Sequence, residues 1–190
     1  MTTPSIPLEP DRARLLDAAE RLFYGRGIQA VGMDQVRAAS NLPLKRMYQL
    51  YPGKQDLVVA FLHRRHERMM AAITEFVYRV EGPQQRVLAL FDWLHAWFQE
   101  PDFRGCAWIN AFGELGPTST AVSSEVHSHQ RDLRELMTAV ATGAGCSAPV
   151  AAAVYLLAEG AVVAAALQHS PSPAMEAREA VRLLLAADVR

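Results

Sequence analysis

Apolar residues along this chain recur at helical spacing. Leu15, Ala18, Ala19, Leu22 and Phe23 stand at i, i+3, i+4, i+7 and i+8, the stripe of an amphipathic helix. Pro10 and Asp11 open that segment, and Gly25 and Gly27 close it, with Gly27 expected in the left-handed conformation. Two short helical pieces follow, Met33 to Ser40 and Leu44 to Leu50, separated by Asn41-Leu42-Pro43. Asn tolerates positive φ and Pro suits the first turn of a new helix, so the break is a sharp bend. Pro52-Gly53 ends the second piece, and one long helix is expected from Gln55 to Val80, about 40 Å at 1.5 Å per residue. Further helices are expected over Gln84 to Gln99, Gly105 to Leu115, Ser119 to Ala141 and Ala148 to Leu167. The last starts at Ser172-Pro173, read as an N-cap and an N1 proline, and runs to Asp188. No alternating strand pattern, hairpin dipeptide or repeat interrupts them. The fold class expected is all-α with about nine helices.

Three helices within the first 52 residues, the last two short and sharply bent, describe a helix-turn-helix whose second short helix enters the major groove of DNA. The stretch Leu15 to Leu57 resembles the N-terminal domain of TetR-family transcriptional regulators. Ala18-Ala19, Leu22-Phe23 and Gly27-Ile28 match the family's first helix, and Val36 and Ala39 its second. Leu42, Tyr48, Tyr51, Lys54, Asp56 and Leu57 fall at its turn hydrophobe, its tyrosine, its aromatic and its Lys-x-x-Leu. The departures concern DNA contact. The resemblance implies a Thr or Ser capping the second helix, with its hydroxyl on a phosphate, where this chain has Val31 and Gly32. The usual turn glycine is Asn41, the usual serine opening the recognition helix is Pro43, and the usual small pair is Lys45-Arg46.

Side-chain chemistry distributes roles among these positions. Lys45 and Arg46 can reach guanine O6 and N7, and Gln49 can pair with an adenine edge. Tyr48, Lys54 and Arg37 suit phosphates, which position a protein without reading sequence. Leu44 opens the reading helix. The expected DNA-contacting set is therefore Arg37, Leu44, Lys45, Arg46, Tyr48, Gln49 and Lys54, while Val36, Leu42 and Tyr51 are expected in the core. For each polar member the other reading is a solvated side chain.

Charge changes this picture only when divided. The 190 residues carry 19 Lys+Arg and 20 Asp+Glu, a net −1, which excludes a uniformly basic polyanion binder. Residues 1–68 hold 11 Lys+Arg and 7 Asp+Glu, giving +4, and the remainder hold 8 and 13, giving −5. This asymmetry predicts that the first third meets an anion while the rest does something else, the other reading being an ordinary solvated surface. At 51% hydrophobic and 21% charged, with 31 alanines, the chain is a core-forming helical protein rather than a disordered one.

Two cysteines, Cys106 and Cys146, make neither a disulfide framework nor a zinc pattern. The N-terminal residues lack a basic region followed by an apolar one, so a cytoplasmic protein is expected. Ala148 to Leu167 is long enough to cross a membrane but carries Glu159 and Gly160 at its centre, so a buried helix is expected instead. His63, Arg64, Arg65, His66 and Arg68 form a basic run, read as the solvated face of the long helix, with an added positive field over DNA as the other reading, and neither His63–His66 nor His127–His129 is read as a metal site. No nucleophile elbow, Gly-rich phosphate loop or metal-spaced ligand set is present. No catalytic residues, metal or cofactor are expected.

All three tryptophans lie between residues 91 and 112, with four phenylalanines and with His95, Asn110 and Glu114. Some of these pack the core. The family resemblance implies a small-molecule pocket among these helices, and Trp93, Trp97, Trp108 and Asn110 are its expected lining. The last two helices, over residues 148–188, are expected to pair with their copies as a four-helix homodimer interface, as the resemblance also implies. Ala177, Val181, Leu184 and Leu185 supply the apolar surface of the last one.

Together these readings predict a helix-turn-helix domain over 1–54 and an effector-binding and dimerisation domain over 55–190. The protein expected is a homodimeric repressor that binds a near-palindromic double-stranded DNA operator under control of a small, mainly apolar ligand. The alternative is a helical ligand-binding protein, or a redox sensor working through Cys106, that has lost specific DNA binding.

Overall fold

A computed structural model describes residues 8–188, which form nine α-helices and no strand. The chain divides into two compact units. One comprises residues 1–65 with 107–126, and the other residues 66–106 with 127–190.

The first unit contains α1 (Leu8–Arg26), α2 (Met33–Ser40), α3 (Leu44–Leu50), the first half of α4 (Lys54–Tyr78), α6 (Ala107–Leu115) and the start of α7 (Thr120–Gly143). α1 packs on α2 and α3 through its predicted stripe. Leu15, Ala18, Ala19 and Phe23 are buried. α1 begins at Leu8, ahead of the expected Pro10, because a proline in the first turn loses no helical hydrogen bond. Gly27 ends it at φ 90°, and Asn41 ends α2 at φ 53°, both left-handed as expected. Gly32 caps α2 in an extended conformation, its N–H donating to Gln35 Oε1 at 3.2 Å. Pro43 precedes α3 as its cap rather than standing inside the first turn.

The basic run on α4 divides: His63 and Arg68 are exposed, as a solvated face requires, while Arg64 and Arg65 are half-buried. Arg64 donates to Glu20 at 2.9 Å and pairs with Asp17 at 2.8 Å, and Arg65 donates to Glu20 at 2.8 Å. The Arg65 guanidinium also lies 4.0 Å from the centroid of the Tyr24 ring. Carboxylates on α1 turn Arg64 and Arg65 inward.

The second unit contains the rest of α4, α5 (Pro83–Phe98), most of α7, α8 (Ala148–Gln168) and α9 (Ser172–Ala187). α8 packs on α9, and α5 packs on both. Alanine makes the close approach feasible: Ala151, Ala158, Ala161 and Ala165 of α8 and Ala174 and Ala177 of α9 are buried. Arg178 is tied to Asp92 at 2.7 Å, and Asp188 accepts both the backbone N–H and the hydroxyl of Ser147 at 2.7 Å. Pro171, not Ser172, caps α9, and Ser172 N–H is bound by Ser170 Oγ at 3.2 Å. α8 is long and apolar enough to span a membrane by composition. Six of its residues are nonetheless buried within the unit.

Candidate DNA-reading helix and effector cavity

Burial sorts α3 into two faces. Met47 is fully buried and Leu50 nearly so, while Leu44 and Tyr48 are 42% and 44% exposed. Lys45 and Gln49 are exposed beside them. These four side chains therefore lie together on the outer side of a seven-residue helix, held by its apolar inner side. Arg37 is exposed in the last turn of α2. Lys54 opens α4 half-buried, its Nζ 5.9 Å from the centroid of the Phe23 ring. Val36 and Leu42 are core residues as expected, and Tyr51 is half-buried.

Arg46 differs from its neighbours on α3. Its Nε donates to Asp11 Oδ2 at 2.7 Å, and Arg14 donates to the other oxygen of the same carboxylate at 2.6 Å. Arg14 and then Arg46 hold the Asp11 carboxyl below its ordinary range. The first turn of α1 thus anchors a side chain of α3.

Glu114 at the end of α6 accepts the backbone N–H of Ile28 at 2.9 Å and of Gln29 at 2.6 Å. The Gln29 side chain returns a hydrogen bond to the Glu114 carbonyl at 2.5 Å. One carboxylate therefore satisfies two donors in the loop joining α1 to α2.

The second unit encloses a cavity of about 10 Å³, enough for one water. Its wall is formed by Met69 and Ile73 of α4, Leu94 and Trp97 of α5, Cys106 just ahead of α6, His129, Leu133 and Met137 of α7, and Ala158, Glu159 and Val162 of α8. Two polar groups stand in this apolar wall. His129 is 1% exposed, with its Nδ1 3.0 Å from His66 Nδ1. Burial, and then His66, push its pKa down to about 3. Glu159 accepts from Gln130 Nε2 at 3.2 Å, and Gln130 Oε1 accepts from the Tyr155 hydroxyl at 2.6 Å. Burial raises the Glu159 carboxyl above its ordinary range.

Of the four residues expected to line a pocket, Trp97 does so. Trp93 is half-buried against it, with ring centroids 5.6 Å apart. Trp108 is fully buried in the first unit and Asn110 is exposed. Phe98 and Phe103 pack in a tilted pair with ring centroids 4.8 Å apart, and Phe103 meets Trp97 edge-on at 5.1 Å, so much of the aromatic cluster packs against itself. His129 and Glu159 were missed by sequence reasoning. Glu159 had a signal, as the one carboxylate in an Ala-rich helix, whereas His129 had none, because its partner is 63 residues away.

Residues 15–61 match the family model described as bacterial regulatory proteins, tetR family. An uncharacterized HTH-type transcriptional regulator of Mycobacterium tuberculosis is 32% identical over 75 residues, 40% of this chain and 37% of that protein. The HTH-type transcriptional activator FasR of Mycolicibacterium smegmatis is 28% identical over 93 residues, 47% of this chain and 42% of that protein. The chain thus matches less than half the length of these curated relatives. A crystal structure of a regulator from Streptomyces coelicolor, described as belonging to the same family, superposes with a TM-score of 0.84 at 26% identity, over 96% of this chain and 97% of that one.

Proposed function

By its N-terminal segment and its fold the chain belongs to the TetR family of bacterial regulatory proteins, and on that premise we propose that it is a cytoplasmic, homodimeric repressor released from its operator by a small, mainly apolar ligand. The observation that carries the DNA-binding part is the outer face of α3, where Leu44, Lys45, Tyr48 and Gln49 are exposed together over a buried Met47 and Leu50. Lys45 and Gln49 read base edges from that face. Tyr48, Arg37 and Lys54 bind phosphates. Arg46 reads guanine from a position set by Asp11. The lost hydroxyl at Gly32 removes one phosphate contact and leaves the helix start intact.

The cavity supports ligand control. α4 carries Met69 and Ile73 in the cavity wall and Lys54 in its first turn, while Cys106 in the same wall is followed directly by α6, whose Glu114 holds the loop ahead of α2. A ligand larger than one water must move these side chains. It shifts the equilibrium only to the extent that it prefers the shape that does not fit DNA. FasR is described as an activator, so the sign of regulation is itself part of the test.

Fluorescence anisotropy on a random duplex across a salt series tests the reading. Affinity should fall steeply with rising salt, and the slope should shrink by about one for Lys54→Ala. Arg46→Ala should cost on the order of 1–3 kcal/mol on a specific site and relax one base position. Absence of any salt-dependent binding by the folded dimer would favour a helical ligand-binding protein that no longer reads DNA.

A further inference from the structure

Resting on the ligand-controlled reading above, we propose that the cavity of the second unit takes a lipophilic amine, a protonated nitrogen on an apolar body, with Glu159 as its counter-ion. The wall is apolar apart from Glu159, His129 and Cys106, so a ligand is held mainly by burial of its body against Leu94, Trp97 and Leu133. Glu159 has one hydrogen-bond donor among the described residues, the neutral Gln130 amide on Oε2, and no ion pair. Tyr155 donates to the Gln130 carbonyl oxygen and thereby fixes the amide with its NH₂ toward Glu159. The carboxyl group is oriented, and its Oε1 has no hydrogen-bond donor among the described residues. A carboxylate in an apolar wall without a cation is costly, and a ligand cation removes that cost by making a charge-assisted bond.

The charges nearby agree with this choice. His129 faces the same cavity as a neutral ring, since burial and the adjacent His66 keep it unprotonated at neutral pH. Among the described residues no ion pair competes for Glu159, and a ligand carboxylate would meet like charge. Trp97 adds a ring face that attracts a cation. Met69 and Met137 are unbranched and adaptable, so rotamer changes can widen a space that now fits one water.

Three probes sharing one body separate the head-group chemistry: 4-phenylbutylamine, 4-phenylbutan-1-ol and 4-phenylbutanoate, titrated calorimetrically into the full chain at neutral pH. The amine should bind about tenfold more tightly than the alcohol, and the carboxylate most weakly. Glu159→Gln should remove that preference and leave alcohol binding unchanged, while Glu159→Asp should keep the ranking. Thermal unfolding of each variant verifies the fold, and Glu159→Asp carries the test if the Gln variant does not fold. Equal binding of amine and alcohol, an amine affinity unaffected by Glu159→Gln, or no amine binding by folded protein would overturn the proposal. The same samples titrated with duplex DNA separate the two ideas. Amine binding with the expected ranking but unaltered DNA affinity refutes ligand control and leaves the amine site standing.

Discussion

Protonating His129 would place a cation in an apolar wall beside a second histidine, which is why its pKa falls to about 3 from an ordinary 6.5. The stability it contributes is complete above the unfolded value and is lost as pH falls from there toward the folded one. By about pH 5 that loss is on the order of 2 kcal/mol, at about 1.4 kcal/mol per pH unit. Asp132, 3.5 Å from His66 Nε2, lies on the far side of the pair, and Glu159 shares the cavity wall. Glu159 acts with the opposite sign: its raised carboxyl takes up protons in the folded state first, so acidification stabilises the fold through it. Urea unfolding at several pH values should therefore show a flatter acid response in His129→Leu and a steeper one in Glu159→Gln. Identical slopes in both variants and the parent chain would contradict this assignment. Neither residue's role was visible in the sequence. Adjacency of His66 to His129, and of Tyr155 to Gln130, arises from packing between helices far apart in the chain, which no local periodicity encodes.

The helices themselves were legible because each has a local cause. The α1 stripe and the left-handed Gly27 and Asn41 act within a few residues. The expectations that failed at this scale depended on distant partners. Arg64 and Arg65 read as solvated because Asp17 and Glu20 lie on another helix. α6 is the element whose function the sequence concealed most. It is short, and its Glu114 holds the two backbone donors at Ile28 and Gln29. Glu114→Ala leaves both without that acceptor and should lower stability by about 1–2 kcal/mol. If α6 transmits ligand binding, the variant should also bind DNA with an affinity that ligand no longer alters. Hydrogen exchange at Ile28 and Gln29, alongside DNA titration with and without 4-phenylbutylamine, measures both effects. Unchanged protection at these amides would contradict the clamp.

Over the whole molecule, a near-zero net charge conceals a +4 first third and a −5 remainder, as suits a protein that touches DNA at narrow points. The apolar surface left exposed favours self-association. Leu156, Val163 and Leu167 on α8 and Met175 and Leu183 on α9 are exposed, and Gly160 lies within the α8 stripe with nothing near its Cβ position. A side chain at Gly160 fits the single chain and improves helix propensity by about 0.8–1 kcal/mol, yet it would hold two copies of α8 apart. Gly160→Arg should therefore sediment as a folded monomer with weakened DNA binding. A stable dimer would exclude this face as the interface. The central claim, that two α3 helices in a dimer read a symmetric site, is tested most directly by selecting bound duplexes from a random pool with the purified full-length protein. The account predicts enrichment of one near-palindromic sequence, its half-sites centred about 34–36 Å apart or a multiple of that, and loss of that sequence for Lys45→Ala or Arg46→Ala. Recovery of a pool with no common sequence, from protein shown to be folded and dimeric, would contradict it.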